Sequence, residues 1–376
     1  MKKILYLTTA LEEKDYDYYL EHCYPISNPS NQNFHSNAIN ALKKEYEVLA
    51  LTLVPFETKS IRPIDNPTHI YIEHPRNIIQ KILALQELKE EIKALPKDFS
   101  AIIYDPLNEA LSRMSSYAKK ILEVPRFAFL TDNPFNITSM SAHKARTLIS
   151  LVRSSEGAIS LTSKLLEIYG LKEKPHEIIE GLAIPSKSKP YQSERPYFYF
   201  GGTLLDKYGV KLLIEAFQKA NLENLDLYIA GHRKEKLPIS KNVRFLGQVT
   251  KEENAAYQKG AYAVINPRPF SKKLDAESIP SKMFEYIANA NRVISTKNTF
   301  FEKNFPNDIM WIGEGNADDF SIFFENLKRN GLSSIPLLDP FQKQKFLSLY
   351  GESSFNKKIT SLLDSLPESD CFQYCP

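Results

Sequence analysis

Short apolar runs alternate along the chain with longer segments in which apolar residues recur at helical spacing. In the N-terminal half this pattern predicts buried strands at 3–8, 100–105 and 126–132, and helices over about 77–95 and 107–123. Strands that are apolar on both faces and alternate with helices are typical of parallel sheets covered by helices. The N-terminal half is therefore predicted to be an α/β domain.

A second alternating series begins after residues 182–196, a polar segment whose prolines interrupt the pattern and predict an interdomain linker. Six further strands are predicted, at 197–202, 225–231, 243–247, 261–267, 292–296 and 308–313. We therefore predict an N-terminal Rossmann-like domain over 1–185, a C-terminal one over 195–338, and one or two closing helices over about 340–366.

Length and composition are those of a globular protein with two domains. The chain has 376 residues, which is more than one hydrophobic core usually holds, and its 48 basic and 45 acidic residues leave a net charge of +3. No basic arm indicates nucleic acid. The apolar run at 4–7 is too short for a signal peptide, and no run approaches the roughly 20 residues of a membrane span. Cys23, Cys371 and Cys375 are interpreted as free thiols of a cytoplasmic protein.

The segment ESIPSKMFEYIANANRVIST, at 277–296, concentrates the candidate chemistry. Pro280 is tolerated where a helix begins, and Ser278 or Ser281 can cap it. The free N–H groups of a helix start attract phosphate, and Lys282 adds a full positive charge at the same place. The segment therefore predicts a diphosphate site, with a capped surface helix as the alternative.

Glu277 and Glu285 bracket this helix start at a spacing of eight residues. Eight residues of straight helix cover about 12 Å, roughly the reach of a sugar–diphosphate–ribose unit. Glu285 would accept hydrogen bonds from ribose hydroxyls, and Glu277, in the preceding loop, would contact the sugar. On these residues alone, acidic side chains near the start of a surface helix explain the pattern equally well.

The whole pattern resembles the E-x7-E motif of the retaining GT-B glycosyltransferases in the glycosyl transferases group 1 (family 4) set. Pro280, Ser281 and Lys282 match the family stretch PSK-x-x-EY, as do Glu285 and Tyr286. The segments FGGTLLDKYGVKLLIEAF, LDLYIAGH and INPRP also resemble the family's C-terminal half. The resemblance implies a GT-B fold of two Rossmann-like domains facing across a cleft, with a C-terminal helix that crosses back to the N-terminal domain.

The family's activity implies transfer of a sugar from a UDP- or GDP-sugar to a glycan or lipid-linked acceptor. Transfer would retain the anomeric configuration and need no metal or other cofactor. Surface or extracellular polysaccharide assembly is the expected context. The helix predicted over 77–95, with its apolar stripe and flanking lysines, leaves peripheral membrane association open, although a core-facing helix is favoured.

Site residues follow from the same resemblance. The implied catalytic residues are Glu277, Asp132 and Lys282. The implied donor-binding residues are Gly201, Gly202, Thr203, Lys207, His232, Arg233, Arg268, Ile279, Ser281, Lys282, Met283 and Glu285. The chain departs from the common family pattern in the glycine loop, because Thr203 and Tyr208 stand near positions where many members have Arg and Lys, and Lys207 is one place early.

The acceptor is expected above the carboxyl ends of the N-terminal strands. Its implied ligands are Asn33 and His35, in a polar loop that leads into a helix, together with Thr131 and Asp132 at a strand end. A strand-end Asp that caps a helix is the alternative for Asp132.

Other activities fit less well. The string Asp15–Tyr16–Asp17 matches the Asp-x-Asp of metal-dependent transferases but falls in an N-terminal acidic loop, so we attribute it to chance. GxGxxG, G-x-S-x-G and Walker A motifs are absent. Two alternatives stay open: a GT-B sugar-nucleotide 2-epimerase, which needs no acceptor, and a non-catalytic GT-B partner subunit.

Overall fold

The computed structural model describes residues 1–21, 29–54, 68–73, 78–137, 140–231 and 241–365. The chain divides into two compact units. The first unit contains Met1–Asp15, Asn31–Gly181 and Glu352–Pro376, and the second contains Tyr16–Ser30 and Leu182–Gly351. Within the described residues, no helix is both long enough and apolar enough to span a bilayer.

The described residues of the N-terminal half form seven strands and six α-helices. The strands are β1 (Lys3–Thr8), β2 (Glu47–Val54), β3 (His69–Glu73), β4 (Phe99–Tyr104), β5 (Arg126–Leu130), β6 (Gly157–Ser160) and β7 (His176–Ile178). The helices are α1 (Glu13–Glu21), α2 (Pro29–Leu42), α3 (Ile78–Ala94), α4 (Glu109–Leu122), α5 (Ala142–Val152) and α6 (Ser163–Tyr169), with a 3₁₀ helix at Pro134–Asn136.

These strands form one parallel sheet in the order β3-β2-β1-β4-β5-β6-β7. Leu5 is paired with Leu49 of β2 on one side and with Ile102 of β4 on the other. The strand order reverses between β1 and β4, and ligands of doubly wound sheets bind at the carboxyl ends of the strands beside such a reversal. The first unit therefore places its candidate site after Thr8 and Tyr104.

The second unit repeats this plan. Its strands are β8 (Tyr197–Gly201), β9 (Asp226–Ala230), β10 (Val243–Gly247), β11 (Ala263–Asn266), β12 (Val293–Ser295) and β13 (Ile309–Trp311). Its helices are α7 (Val210–Ala220), α8 (Lys251–Gly260), α9 (Lys272–Glu277), α10 (Ser281–Asn289), α11 (Thr299–Asn304), α12 (Ala317–Asn330) and α13 (Pro340–Tyr350), with 3₁₀ helices at Asp206–Tyr208 and Leu332–Ser334.

The second sheet is also parallel, in the order β10-β9-β8-β11-β12-β13, and reverses between β8 and β11. Side chains of its central strand alternate between two cores. Phe198 and Phe200 pack in one core with Phe324 of α12. Tyr197 and Tyr199 pack in the other, which also contains Phe284 of α10. Burial on both faces explains why these strands read as continuous apolar runs.

The closing segment predicted over about 340–366 is two helices. In α13, Phe346 packs on Phe284 of the second unit, with ring centroids 5.4 Å apart. The last helix, α14 (Glu352–Asp364), packs on the first unit: Asn356 Nδ2 donates to the carbonyl of Ala41, and Lys358 Nζ donates to that of Ile178. The helix that returns to the N-terminal unit is therefore α14.

Several local predictions are wrong. Residues 13–21 form α1 where a polar loop was expected, and Asn33 and His35 lie within α2 because that helix begins at Pro29. The predicted apolar stripe of α3 is only partly buried, since Leu88 and Ile92 are covered but Ile82 is 52% exposed. Helices α5, α6, α9, α11 and α12 had not been predicted.

The proline-containing linker is bound along the second unit. Lys259 Nζ of α8 donates to the carbonyls of Ser186 and Ser188, at 2.5 and 2.9 Å. The backbone N–H of Tyr191 donates to the carbonyl of Ala256. These contacts lie on one helix, so the segment is packed against α8 rather than standing away from it.

Candidate functional site

The candidate donor site lies at the carboxyl end of β8, beside the reversal of the second sheet. β8 ends at Gly201, and Gly202 follows with a backbone φ of +149°. The N–H of Gly202 donates to the carbonyl of Ala230 in β9, and the N–H of Gly201 donates to the hydroxyl of Tyr286 in α10. The glycine turn is therefore held by the neighbouring strand and by the helix that carries Glu285.

The helix start differs in detail from the sequence prediction. α10 begins at Ser281 after Pro280, and no side chain caps it. Ser278 instead ends α9, whose last residue is Glu277. The prediction that Ser278 or Ser281 caps this helix is therefore wrong, and the two glutamates lie on different helices. Because the first-turn N–H groups have no side-chain cap, the positive end of α10 stays open to an anion.

Lys282 extends from α10 to the glycine turn. Its ammonium lies 4.5 Å from the ring centroid of Phe200 and 5.5 Å from that of Tyr208. Burial lowers the pKa of Lys282 to about 8, with Glu285 acting to raise it and Arg268 acting to lower it further. No hydrogen bond or ion pair engages this ammonium anywhere in the described part of the chain. Its three N–H donors are therefore available to a ligand.

Two glycines give this ammonium its position. A Cβ on Gly202 would lie 2.1 Å from Lys282 Nζ, and a Cβ on Gly231 would lie 1.9 Å from the carbonyl oxygen of Gly202. Both distances are far inside van der Waals contact, and φ at Gly231 is +145°. The missing side chain of Gly231 thus admits the Gly202 turn, and the missing side chain of Gly202 admits the lysine.

Glu285 lies one turn beyond Lys282 and faces α8. Asn254 Nδ2 and Gln258 Nε2 each lie 3.5 Å from its Oε2. Burial raises the pKa of Glu285, and Lys251 and Lys282 act against this rise. Asn254 in turn accepts a hydrogen bond from the Tyr199 hydroxyl at 2.7 Å. The carboxylate is therefore oriented by amides, which leaves acceptor capacity for hydroxyl donors.

The other predicted donor-side residues are spread around this turn. Lys207 is exposed, with its ammonium 5.2 Å from the ring centroid of Tyr208. Arg268 follows β11, and its carbonyl accepts a hydrogen bond from Thr296. Thr203, Ile279 and Ser281 are half-buried. His232 and Arg233 lie outside the described residues.

Glu277 and Met283 lie deeper. Glu277 is 6% exposed at the end of α9. Met283 is fully buried in the core with Phe284, and its N–H donates to the carbonyl of Pro280. Its side chain therefore packs in the core and does not reach the surface. The ligand-binding roles assigned to all these residues stay predictions.

At the carboxyl edge of the first sheet, polar groups bond to one another. Asp105, which follows β4, is buried, and its Oδ2 accepts from Asn31 Nδ2 at 2.9 Å. His35 is fully buried; its Nδ1 lies 2.7 Å from the Tyr6 hydroxyl and its Nε2 lies 3.7 Å from Asp105 Oδ2. Burial lowers the pKa of His35, while Asp105 acts to raise it. Burial inside the first unit therefore favours the neutral imidazole.

The remaining acceptor-side candidates follow β5 or lie on α2. Thr131 is buried, and Asp132 is half-buried with its carbonyl accepting from the Tyr169 hydroxyl at 3.1 Å. The cap of the following 3₁₀ helix is Asn133, not Asp132. Asn33 is half-buried on α2. Asp132 and Asn33 thus have partial access to solvent, whereas His35 has none.

The sequence prediction did not single out Asp105, Phe200 or Tyr208. Asp105 follows an apolar run, as many strand-end residues do, so its sequence context did not distinguish it. Only the pairing of β1 with β4 brings it near α2. Tyr208 was noted only as the residue at a position where relatives have a cation. Its ring contacts depend on the side-chain path of Lys282, which the sequence does not specify.

Solved structures show the same arrangement of two Rossmann-like units. Structures with the same two-domain GT-B architecture include a sucrose-phosphate synthase from Thermosynechococcus elongatus (TM-score 0.68, 12% identity, 96% of this chain and 98% of that chain). Another is Anabaena Alr3699/HepE in complex with UDP-glucose (0.65, 10%, 97% and 100%). A third is a UDP-forming trehalose-phosphate synthase from Burkholderia xenovorans (0.61, 10%, 97% and 99%). At these identities the likeness establishes the GT-B fold alone.

The sequence of the second unit is similar to one family of transferases. Residues 185–330 match the family model of Glycosyl transferases group 1. This segment contains β8, the glycine turn and the whole of α10. The match covers less than half of the chain and lies within the second unit of the GT-B fold. No curated protein matches the sequence.

Proposed function

We propose that this protein is a retaining glycosyltransferase that moves a hexose from a UDP- or GDP-sugar to a glycan or lipid-linked acceptor. The observation that carries the proposal is the Lys282 ammonium, which lies at the Gly201–Gly202 turn with no hydrogen-bonding partner among the described residues. The family of the second domain and the UDP and UDP-glucose complexes of Alr3699/HepE support a nucleotide-sugar donor.

The donor diphosphate would bind between the start of α10 and the glycine turn. A leaving nucleoside diphosphate gains negative charge as the glycosidic bond breaks. Lys282 and the uncapped N–H groups of α10 are fixed in place before the reaction, so they would stabilise that charge without reorganising. The exposed Lys207 would add a second, more mobile cation. Arg268, whose charge already acts on Lys282, would face the same group.

The carboxylates would bind the hydroxyl groups of the donor. Glu285, oriented by Asn254 and Gln258, would accept from the two ribose hydroxyls. Glu277 would contact the transferred sugar. On the first unit, Asp132 with Thr131 and Asn33 would meet the acceptor, and His35 would act from beneath them. Family resemblance supports these roles.

Binding of the donor product tests the central claim. Isothermal calorimetry with UDP and with GDP should show binding to the wild-type protein. Lys282→Ala should weaken that binding at least about tenfold and lower transfer by about 100-fold, as loss of a preorganised charge does. Lys219→Ala is the matched control, because Lys219 is an exposed lysine on α7 of the same unit. If neither UDP nor GDP binds, or if Lys282→Ala keeps full activity, the proposed donor site is refuted.

Retention and metal independence are also proposals. The positive charge that stabilises the leaving group comes in our mechanism from Lys282 and α10, so activity should persist in excess EDTA. NMR of the first-formed product should show the anomeric configuration of the donor. Inverted product, or activity that returns only with added Mg²⁺ or Mn²⁺, would contradict these two parts while leaving the donor site intact.

Peripheral association with a membrane is proposed for α3. The first turns of this helix expose Ile79, Ile82 and Leu83, at 68%, 52% and 56%, and Lys81 is the only charged residue between 78 and 86. Apolar side chains beside a lysine suit the boundary of an anionic bilayer. Sedimentation with anionic lipid vesicles should retain the wild-type protein and release Ile82→Asp. Ile322→Asp is the control, since Ile322 is equally exposed on α12.

A further inference from the structure

The ammonium of Lys282 is enclosed by aromatic faces rather than by anions. Phe200 lies in the core at the end of β8, with its ring centroid 4.5 Å from Nζ. Tyr208 belongs to the 3₁₀ helix Asp206–Tyr208, and its ring centroid lies 5.5 Å from Nζ. Cations within about 6 Å of a ring centroid are attracted by the negative face of the ring. The rings are therefore the groups that contact this charge.

Tyr208 contacts two cations. The Lys207 ammonium lies 5.2 Å from the same ring centroid. Two ammonium groups at one anion site repel each other, and an aromatic face that attracts both offsets part of that repulsion. One ring therefore attracts both ammonium groups.

We propose that Tyr208 is a positioning residue, which holds the Lys282 ammonium at the Gly201–Gly202 turn so that its three N–H donors face a bound diphosphate. The ligand in this statement rests on the proposed function. The attraction between the ring and the ammonium does not depend on it, because it exists in the protein without nucleotide.

The charge state of Lys282 reports this attraction. Glu285 of α10 favours the protonated form, whereas burial and Arg268 from the loop after β11 disfavour it. Lys207 acts on the same ring, and Phe200 contributes the second aromatic face. The Tyr208 ring stabilises the protonated form of Lys282 and not its neutral form, so removing the ring disfavours the protonated form. The pKa of Lys282 should therefore fall, so the ammonium would lose its proton at lower pH.

Three variants distinguish the effect of the aromatic ring from the effects of its hydroxyl and of side-chain volume. Tyr208→Phe keeps the ring, while Tyr208→Leu and Tyr208→Met remove it and keep an apolar side chain. Tyr262→Leu is the matched control: Tyr262 is a half-buried tyrosine against the same core, and its ring lies 4.4 Å from the Arg292 guanidinium. It contacts neither Lys282 nor the glycine turn in any described interaction. Fluorescence of Trp311, the single tryptophan, checks that the second unit is folded.

The decisive measurement is an NMR titration of the ¹³Cε signal of Lys282 without nucleotide, assigned with Lys282→Arg. Tyr208→Leu and Tyr208→Met should lower the titration midpoint by about half a pH unit to one unit, the shift that a partly desolvated cation–π contact produces. Tyr208→Phe and Tyr262→Leu should leave it unchanged. A midpoint that stays at the wild-type value in both ring-deleted variants would overturn the proposal, as would an equal fall in Tyr208→Phe.

Nucleotide binding gives the second readout. Calorimetry near pH 8 should show a several-fold loss of UDP or GDP affinity in Tyr208→Leu and Tyr208→Met, recovered in Tyr208→Phe and smaller at pH 6.5, where Lys282 stays protonated. Should the wild-type protein bind neither nucleotide, the proposed donor site fails while the titration still decides the role of the ring. A pH-independent loss of affinity with an unchanged Lys282 midpoint would show that Tyr208 contacts the ligand itself, which contradicts a positioning role.

Discussion

The carboxyl edges of the two sheets are built on the same strand order around their reversal points, β2-β1-β4-β5 in the first unit and β9-β8-β11-β12 in the second. The second edge ends in a glycine turn and an ammonium whose donors are free of hydrogen bonds in the described chain. The first edge ends in a buried carboxylate, Asp105, that accepts from Asn31 and from the N–H of Leu107.

The difference separates a lysine whose donors are free of hydrogen bonds from an Asp105 carboxylate that already accepts them. Buried polar groups that bond to one another stabilise the fold, and leaving one of them unsatisfied is costly. Available donors with a positive charge, by contrast, gain most when an anion arrives. We therefore expect substitutions at the second edge to act on nucleotide affinity, and substitutions in the Asp105 network to act on stability. The following predictions test that division, from the largest effect to the smallest.

Gly202→Ala should have the largest effect. Its Cβ would lie 2.1 Å from the ammonium, and an Ala at φ +149° is strained. We therefore expect at least a tenfold loss of nucleotide affinity together with about 1–3 kcal/mol of destabilisation. Gly247→Ala is the control, because φ is +73° there but nothing lies within 4 Å of the added Cβ. It should cost stability without affinity, measured by urea unfolding and calorimetry. Equal affinity losses in both variants would remove the special role of Gly202.

Asp105→Asn should lower the free energy of unfolding and leave nucleotide affinity unchanged. The amide would turn an N–H₂ group toward donors that now bond to a carboxylate, so we expect about 1–3 kcal/mol of destabilisation with unchanged nucleotide affinity. Far-UV circular dichroism would follow the whole chain during unfolding, and Trp311 fluorescence would follow the second unit. Asp98→Asn, which removes an exposed ion pair with Lys3, should cost under about 1 kcal/mol. Weaker nucleotide binding in Asp105→Asn would contradict a stabilising role for the Asp105 contacts.

The pH dependence of nucleotide binding should follow Lys282. With a pKa of about 8, this lysine is charged at neutral pH and loses its proton as pH rises through that value. Affinity should be constant from pH 6.5 to 7.5 and then fall by up to about tenfold per pH unit. Lys282→Arg should extend the plateau, because arginine stays protonated. A flat profile up to pH 9.5 in the wild-type protein would show that the Lys282 charge does not contribute.

His35 should produce a small pH effect on the first edge. Burial lowers its folded-state pKa below the ordinary value of about 6.5, so the unfolded chain takes up the proton first as pH falls. This contribution to stability is present above pH 6.5 and is lost as pH falls through the folded-state pKa. Urea unfolding at pH 7 and 5.5 should show this loss in the wild-type protein and not in His35→Gln. His143→Gln, at an exposed histidine of α5, should behave as wild type.

The sequence was most informative where one segment carries its own signals. The strands ending at Gly201 and Asn266 are apolar runs followed by turn residues, and α10 follows a proline, so the order of elements around the donor site could be predicted. α12 was missed although Phe320, Phe323, Phe324 and Leu327 recur at helical spacing behind a capping box at Asn316 and Asp319. That signal was present in the sequence, unlike the polar pattern of α1.

Contacts between distant segments could not be predicted. Tyr6, His35 and Asp105 are brought together only by the pairing of β1 with β4 and the packing of α2 over both. The Lys282 position likewise depends on β8, on β9 and on the 3₁₀ helix at Asp206–Tyr208. Residue type and spacing indicated a phosphate-binding lysine. They gave no indication that Gly202 lies against the lysine side chain.

The path from Gly231 to Gly202 to Lys282 has a consequence for how this domain tolerates mutation. Gly231 directly follows β9 and is two contacts away from the ammonium, yet a methyl group there would push on the Gly202 carbonyl and through it on the lysine. Effects of substitutions at these three residues should therefore be non-additive, as expected for residues in direct contact. A library that varies one position at a time would record two intolerant glycines and miss that both restrict the same charge.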